Sequence, residues 1–212
     1  MTIRGITMKF DNLIVVGMRD KVPEGFTVVN TTSRDKTGYG QQLSPFYLRD
    51  IPMYDGIVAK NMENAWQFSK VYEEHVDDNG DPTEAYYTWA RAGWANWRAE
   101  RYPMGKGRKP LYSLWDGKKL DYISARRNLY FPMYARAVVQ TDTFKDLWKR
   151  VNDGEKIALL DFDGYHYQEL GMDYYDVIHA EDKKCGHGFV IYGLIQRELI
   201  LSGDRLFLPM LG

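Results

Sequence analysis

The sequence predicts an α+β fold, one domain with helices packed around a small mixed sheet, and three observations lead there. Short β-branched runs open the chain, Leu13-Ile14-Val15-Val16 and Phe26-Thr27-Val28-Val29, with Pro23 and Gly25 between them. Long stretches of helical periodicity fill the middle. No internal repeat, low-complexity tract or linker divides the 212 residues, a length that suits one large domain. The expected layout is N-terminal strands and a loop over 1–42, a core over 43–201 and a tail over 202–212.

Each element has its own signal. Residues 31–42 are polar, carry glycine and lack periodicity, so they form a loop. Residues 43–48 read as a short edge strand limited by Pro45. Residues 60–72 read as a helix with Met62, Trp66, Phe68 and Val71 for packing. A turn over 75–82 precedes a helix over 83–101, where Tyr86, Ala90, Trp94 and Trp97 make a stripe. Residues 102–119 hold five Gly and Pro residues and read as a loop. Residues 120–140 are helical, kinked or joined at Pro132. Thr141 caps a helix over 142–152 that Gly154 closes. Residues 156–162 form an apolar strand turning at Asp163-Gly164, residues 174–179 read as a further strand, and 188–201 as a last apolar helix.

Bulk chemistry narrows the function. The net charge of −1 gives no global field toward nucleic acid or membrane. No apolar run approaches the roughly 18 residues of a membrane span, and the first ten residues have no signal-peptide pattern. The single cysteine, Cys185, excludes an internal disulfide and a multi-cysteine metal site, and suits a reducing cytoplasm. The four histidines show no metal-ligand spacing, so neither metal nor cofactor is expected. Charge is nonetheless uneven. Residues 89–136 hold eleven Lys/Arg against three Asp/Glu, and residues 141–182 hold four against eleven. That is either internal complementarity or a patch that receives phosphates.

The most informative stretch is 60–72. Glu63, Gln67 and Lys70 lie at i, i+4 and i+7, on one side of a helix. They read either as a solvated ladder or as an acid/base paired with a nucleophile. An aromatic, apolar setting would desolvate the Lys70 amine and favour its neutral, nucleophilic form. Asp161 follows Leu159-Leu160 at a strand end, where a carboxylate emerges into a crevice, and Asp163 before Gly164 is as well explained by the turn. Trp66, Trp89, Trp94 and Trp97 are stacking rings or core, with Trp94 and Trp97 on the core side and Trp66 on the pocket side. The loop 104–109, with Arg108, is either solvated or a phosphate clamp. Gly186-His187-Gly188 opens the last helix, where backbone donors suit an anion and His187 contacts a ligand or serves as a cap.

These residues resemble the NADAR superfamily, also called YbiA-like. Ser44-Pro45-Phe46 is followed by Met62-Glu63-Asn64, then Gln67 and Lys70 at the family's offsets, and Leu159-Leu160-Asp161 is similar to its later Leu-Val-Glu strand. The likeness spans roughly 45–200, and its specific part is the Glu-Gln-Lys segment. Asn64 stands where the family has His, Asp161 where it has Glu, and the basic loop resembles an insertion. The resemblance is to a distant, phage-type branch, which implies host cytoplasm.

It implies N-glycosidase chemistry on an ADP-ribosylated or phosphoribosylated base, free or carried on nucleic acid. Glu63, Lys70 and Asp161 would be catalytic, with Lys70 forming an imine with the ribose. Phe46, Asn61, Trp66, Gln67, Arg108, His187 and Gly188 would contact the substrate. The alternatives are a non-catalytic ADP-ribose binder or host-takeover factor, and an enzyme of phage DNA-base modification.

Overall fold

A computed structural model describes residues 11–202 and 205–207 and gives an α+β fold. Its centre is a three-stranded parallel sheet of β1 (Leu13–Gly17), β2 (Thr27–Asn30) and β8 (Ile157–Asp161), in the order β1-β8-β2. Leu13 and Thr27 both pair with Ile157, so all three strands point the same way and finish together at Gly17, Asn30 and Asp161. Ile157, Ala158 and Leu159 are fully buried, as expected of a central parallel strand covered on both faces. The helix α7 (His187–Ile195) is apolar on nearly every side and packs against β1, β8 and α4 (Phe131–Val138).

The remaining strands are antiparallel. β3 (Arg49–Pro52) pairs with β4 (Val58–Asn61), β5 (Lys70–Val71) with β6 (Tyr112–Trp115), and β6 with β7 (Lys118–Leu120). β9 (Ile200–Ser202) and β10 (Arg205–Phe207) form a hairpin against α4. Among the described residues the expected single mixed sheet is therefore four separate sheets, one parallel and three antiparallel.

Several expected elements differ, each for a local reason. The helix over 60–72 is only α1 (Met62–Gln67). It stops because the Phe68 ring lies where Gly93 of α2 (Glu84–Ala95) leaves no Cβ, which draws the chain away into β5. The expected strand 43–48 is a run of turns, in which Ser44 O accepts from the Tyr47 and Leu48 amides. The helix expected over 83–101 ends at Ala95, which leaves Trp97 60% exposed while Trp94 is buried. The loop expected over 102–119 contains β6 and the start of β7.

Residues 174–179 are helix α6 (Tyr174–His179), not strand, because Asp173 and Asp176 form a reciprocal capping box. The last helix ends at Ile195, short of the expected 201. Within the expected tail, 205–207 is strand; residues 203–204 and 208–212, and the first ten residues read for a leader, lie outside the described residues.

The segment over 120–140 is helical throughout but not uniform. It runs from α3 (Tyr122–Ala125) through a π-turn (Arg126–Tyr130) into α4. The Phe131 amide donates to the Arg126 carbonyl, one residue farther back than in an α-helix. This wide turn gives clearance to the ring of Pro132, which lacks an N–H and would clash with a normal preceding turn. α5 (Asp142–Asn152) has the expected bounds, with the Thr141 side chain accepting from the Phe144 amide.

Candidate active site

The parallel strands end in a crevice, the usual place for a ligand in an open parallel sheet. A cleft of about 240 Å³ lies there, closed on the other side by α1 and β5. Glu63, Lys70 and Asp161 all line it, as do Phe46, Trp66, Gln67 and His187. Three of the expected contacts do not. Asn61 is buried as the cap of α1, accepting from the Asn64 amide and donating to the Asn96 and Trp97 carbonyls. Arg108 is a surface residue paired with Glu74 at 2.6 Å. Gly188 serves through its backbone alone: its amide donates to Asp161 Oδ2 at 2.7 Å.

One wall of the cleft is a side-chain relay. Lys70 Nζ donates to Gln67 Oε1 at 2.7 Å, and Gln67 Nε2 donates to Glu63 Oε1 at 2.9 Å. Lys70 sits on β5 rather than on the helix, yet β5 doubles back so that its amine still reaches the α1 face. That amine also lies 4.8 Å above the Trp66 ring, a cation–π contact. Trp66 in turn packs on Tyr130, delivered by the π-turn, with centroids 5.1 Å apart. Burial pulls the Lys70 amine down to about 8, with the Glu63 charge pulling the other way. Burial likewise pushes the Glu63 carboxyl up, against the Gln67 hydrogen bond and the charges of Lys70, Arg101 and His187.

The opposite wall is built from backbone. Asp161 is 2% exposed, ends β8, and accepts from the Gly188 and Asp163 amides. Its carboxylate thereby takes one first-turn donor of α7, the Gly188 amide, so the anion at that helix terminus is the protein's own. Gly186 is required for the fit, since a Cβ there would collide with Asp161 Oδ2. His187 Nε2 faces the Thr31 carbonyl at 2.8 Å and must donate to it. His187 Nδ1 then lies 3.3 Å from Asp161 Oδ2. Thr31 follows β2 and is tied to β8 by its amide and hydroxyl, both donating to the Leu160 carbonyl.

Several lining residues gave no sequence signal. Arg101 and Tyr102 come from the segment after α2, Tyr122 from the start of α3 and Arg126 from the π-turn that follows it. Arg126 is 2% exposed and donates to the Val177, Ile178, Ala180 and Lys183 carbonyls, closing the C-terminal end of α6. The basic excess over 89–136, which contains Arg101 and Arg126, was the one trace of them. Cys185 lines the cleft too, but burial pushes its thiol up to about 12, which leaves it inert at neutral pH.

Among the described residues no cluster of three or more His, Cys, Asp or Glu could hold a metal ion. No helix among them is long and apolar enough to cross a membrane.

A family of unknown function, DUF6939, matches residues 15–169. That span holds Glu63, Gln67, Lys70 and Asp161 and leaves α7 outside. No curated protein and no solved structure matches the chain.

Proposed function

The chain belongs to the DUF6939 family, and we propose that it is an N-glycosidase with a NADAR-like site. It would hydrolyse the bond between a ribosyl or ADP-ribosyl group and a nucleobase, free or on nucleic acid, in a cytoplasmic setting. The observation that carries this reading is the Lys70 amine, lowered to about 8 and linked through Gln67 to a buried carboxyl, in a hollow shared with Asp161. At pH 7 roughly a tenth of such amines are neutral, far more than for a solvated lysine.

In this mechanism Lys70 Nζ attacks C1′ of the ribose. The bond from C1′ to the base nitrogen breaks, its electron pair stays with the base, and the Glu63 carboxyl supplies a proton to that nitrogen. The positive charge developing at C1′ is met by Asp161, fixed in place by Gly188 and His187. The amine proton is then lost and the ring oxygen leaves C1′ as a hydroxyl, giving an imine. Water adds to the imine and releases Lys70 and the sugar, with one water consumed per bond cleaved. Phe46 and Trp66 offer faces for the base.

Borohydride is the direct test. Incubation with an ADP-ribosyl-guanine nucleoside and borohydride should leave a sugar adduct on the Lys70 peptide, detected by mass spectrometry. An adduct elsewhere, or full base release by Lys70→Ala, removes the nucleophile assignment. Calorimetric binding of ADP-ribose without any release of base makes the protein a binder instead.

A further inference from the structure

A pair of cations that the reaction just described does not use meets at Phe162 beside the cleft; Arg101 lines the cleft, and Arg34 reaches the same ring from outside that lining. Phe162 follows Asp161 directly and lines the cleft. The Arg34 guanidinium lies 5.0 Å from the centre of its ring, and the Arg101 guanidinium also lies 5.0 Å away. The two charges are therefore no farther apart than the sum of those contacts, about 10 Å. They arrive from distant segments, one just past β2 and one past α2. Arg101 is further held by Tyr102, 5.5 Å below its guanidinium. Among the described residues neither guanidinium has a hydrogen-bond or ion-pair partner. Two other arginines, Arg108 and Arg150, do have carboxylate partners, in Glu74 and Glu155.

Two like charges brought onto one ring, with their donors unengaged, are a receptor for an anion that can engage both. A guanidinium offers a planar fork suited to phosphate oxygens. The cleft behind, about 240 Å³, is smaller than the roughly 300–1,000 Å³ of pockets that enclose a drug-sized ligand. A ligand with its ribose at Lys70 must therefore leave its remainder at the mouth.

We propose that Arg34 and Arg101, seated on Phe162, are a clamp for the diphosphate of a nucleoside-diphosphate sugar. The proposal rests on the N-glycosidase reading only for which end of the ligand enters the hollow. The clamp replaces the basic loop at Arg108 as the phosphate-holding element.

The test is calorimetry on the full chain at low salt. The ligands are inorganic pyrophosphate, ADP-ribose, adenosine and a single-stranded oligonucleotide. Arg34 is exposed, so Arg34→Ala keeps the fold, and Phe162→Leu removes the ring while keeping an apolar side chain. Arg34→Ala should weaken pyrophosphate and ADP-ribose by about tenfold, the worth of one charge-assisted contact, and leave adenosine unaffected. Phe162→Leu should weaken the same two ligands. Unchanged pyrophosphate affinity in Arg34→Ala overturns the clamp. So does an oligonucleotide that binds more tightly than ADP-ribose and is lost in Arg34→Ala, since the pair would then hold a nucleic-acid backbone.

The two readings fail separately. Arg34-dependent pyrophosphate binding without base release sinks the glycosidase and keeps the clamp. Base release with Arg34-independent binding does the reverse.

Discussion

The two walls of the cleft hold their acidic groups in opposite ways. On the α1–β5 wall, Glu63 and Lys70 touch each other only through the Gln67 amide, so the groups are joined by rotatable side chains. On the β8–α7 wall, Asp161 is locked by two backbone amides and by a histidine that is itself pinned to the Thr31 carbonyl. The first wall suits groups that gain and lose protons and bonds. The second suits a fixed charge, because preorganised dipoles need no rearrangement as the reaction proceeds. On the first wall burial also shifts both Lys70 and Glu63 toward their neutral forms.

The largest expected effect breaks the relay wall. Lys70→Ala should lower base release by on the order of a thousandfold or more, measured by chromatography of the freed base, since the other lysine lining the cleft, Lys184, is largely exposed and paired with Asp163. The pH profile sharpens the point. Free ADP-ribose has an open-chain aldehyde, and its borohydride-trapped adduct at Lys70 should increase as pH rises through about 8, where the amine loses its proton. A rise centred near 10.5 would mean a solvated lysine.

Glu63→Gln comes next, with a loss of about 10²- to 10⁴-fold for a missing proton donor. Its stability effect has a definite sign. The folded state holds the Glu63 proton more tightly than the unfolded chain does, so stability is complete at acid pH and falls as pH rises through the folded value. Glu63→Gln removes that fall. Its Tm should exceed that of the wild type at pH 7 and match it at pH 4.

On the backbone wall the damage should appear in the fold. Asp161→Ala strips the acceptor from the Gly188 amide and should lower stability by about 1–2 kcal/mol in urea titrations. Gly186→Ala should be similar, about 1–3 kcal/mol, because the new methyl displaces the same carboxylate. The smallest effect belongs to Arg108→Ala. It breaks one exposed ion pair, so Tm and base release should stay at wild-type values, within about 0.5 kcal/mol for stability.

The same contrast explains what could be read in the sequence. Glu63, Gln67 and Lys70 were legible because eight consecutive residues bring them together. The reading assumed one helix, and the contact survives through a strand that folds back. α5 was legible because Thr141 and the apolar spacing are local signals. Asp161 was legible as a strand end, but its engagement by Gly188 was not, since 27 residues separate them. The Asp173–Asp176 box was present in the sequence and was outweighed by the run of Tyr, Val and Ile that follows it. Arg108 drew attention by charge and glycine alone, while its partner Glu74 lies 34 residues away. Arg34, Arg101 and Arg126 had no local pattern and became visible only when distant loops met.

The wide turn at residues 126–130 sets a constraint of a different kind. Removing one residue there would restore ordinary helical pitch and rotate everything upstream by about 100° relative to α4. Tyr122 and Arg126 would swing off the crevice while the buried side of α4 stayed in place. Arg127 and Asn128 face solvent, so substitutions there should pass unnoticed. A deletion at the same spot should empty one side of the binding hollow, so that positions 127 and 128 tolerate a change of residue but not a change in length.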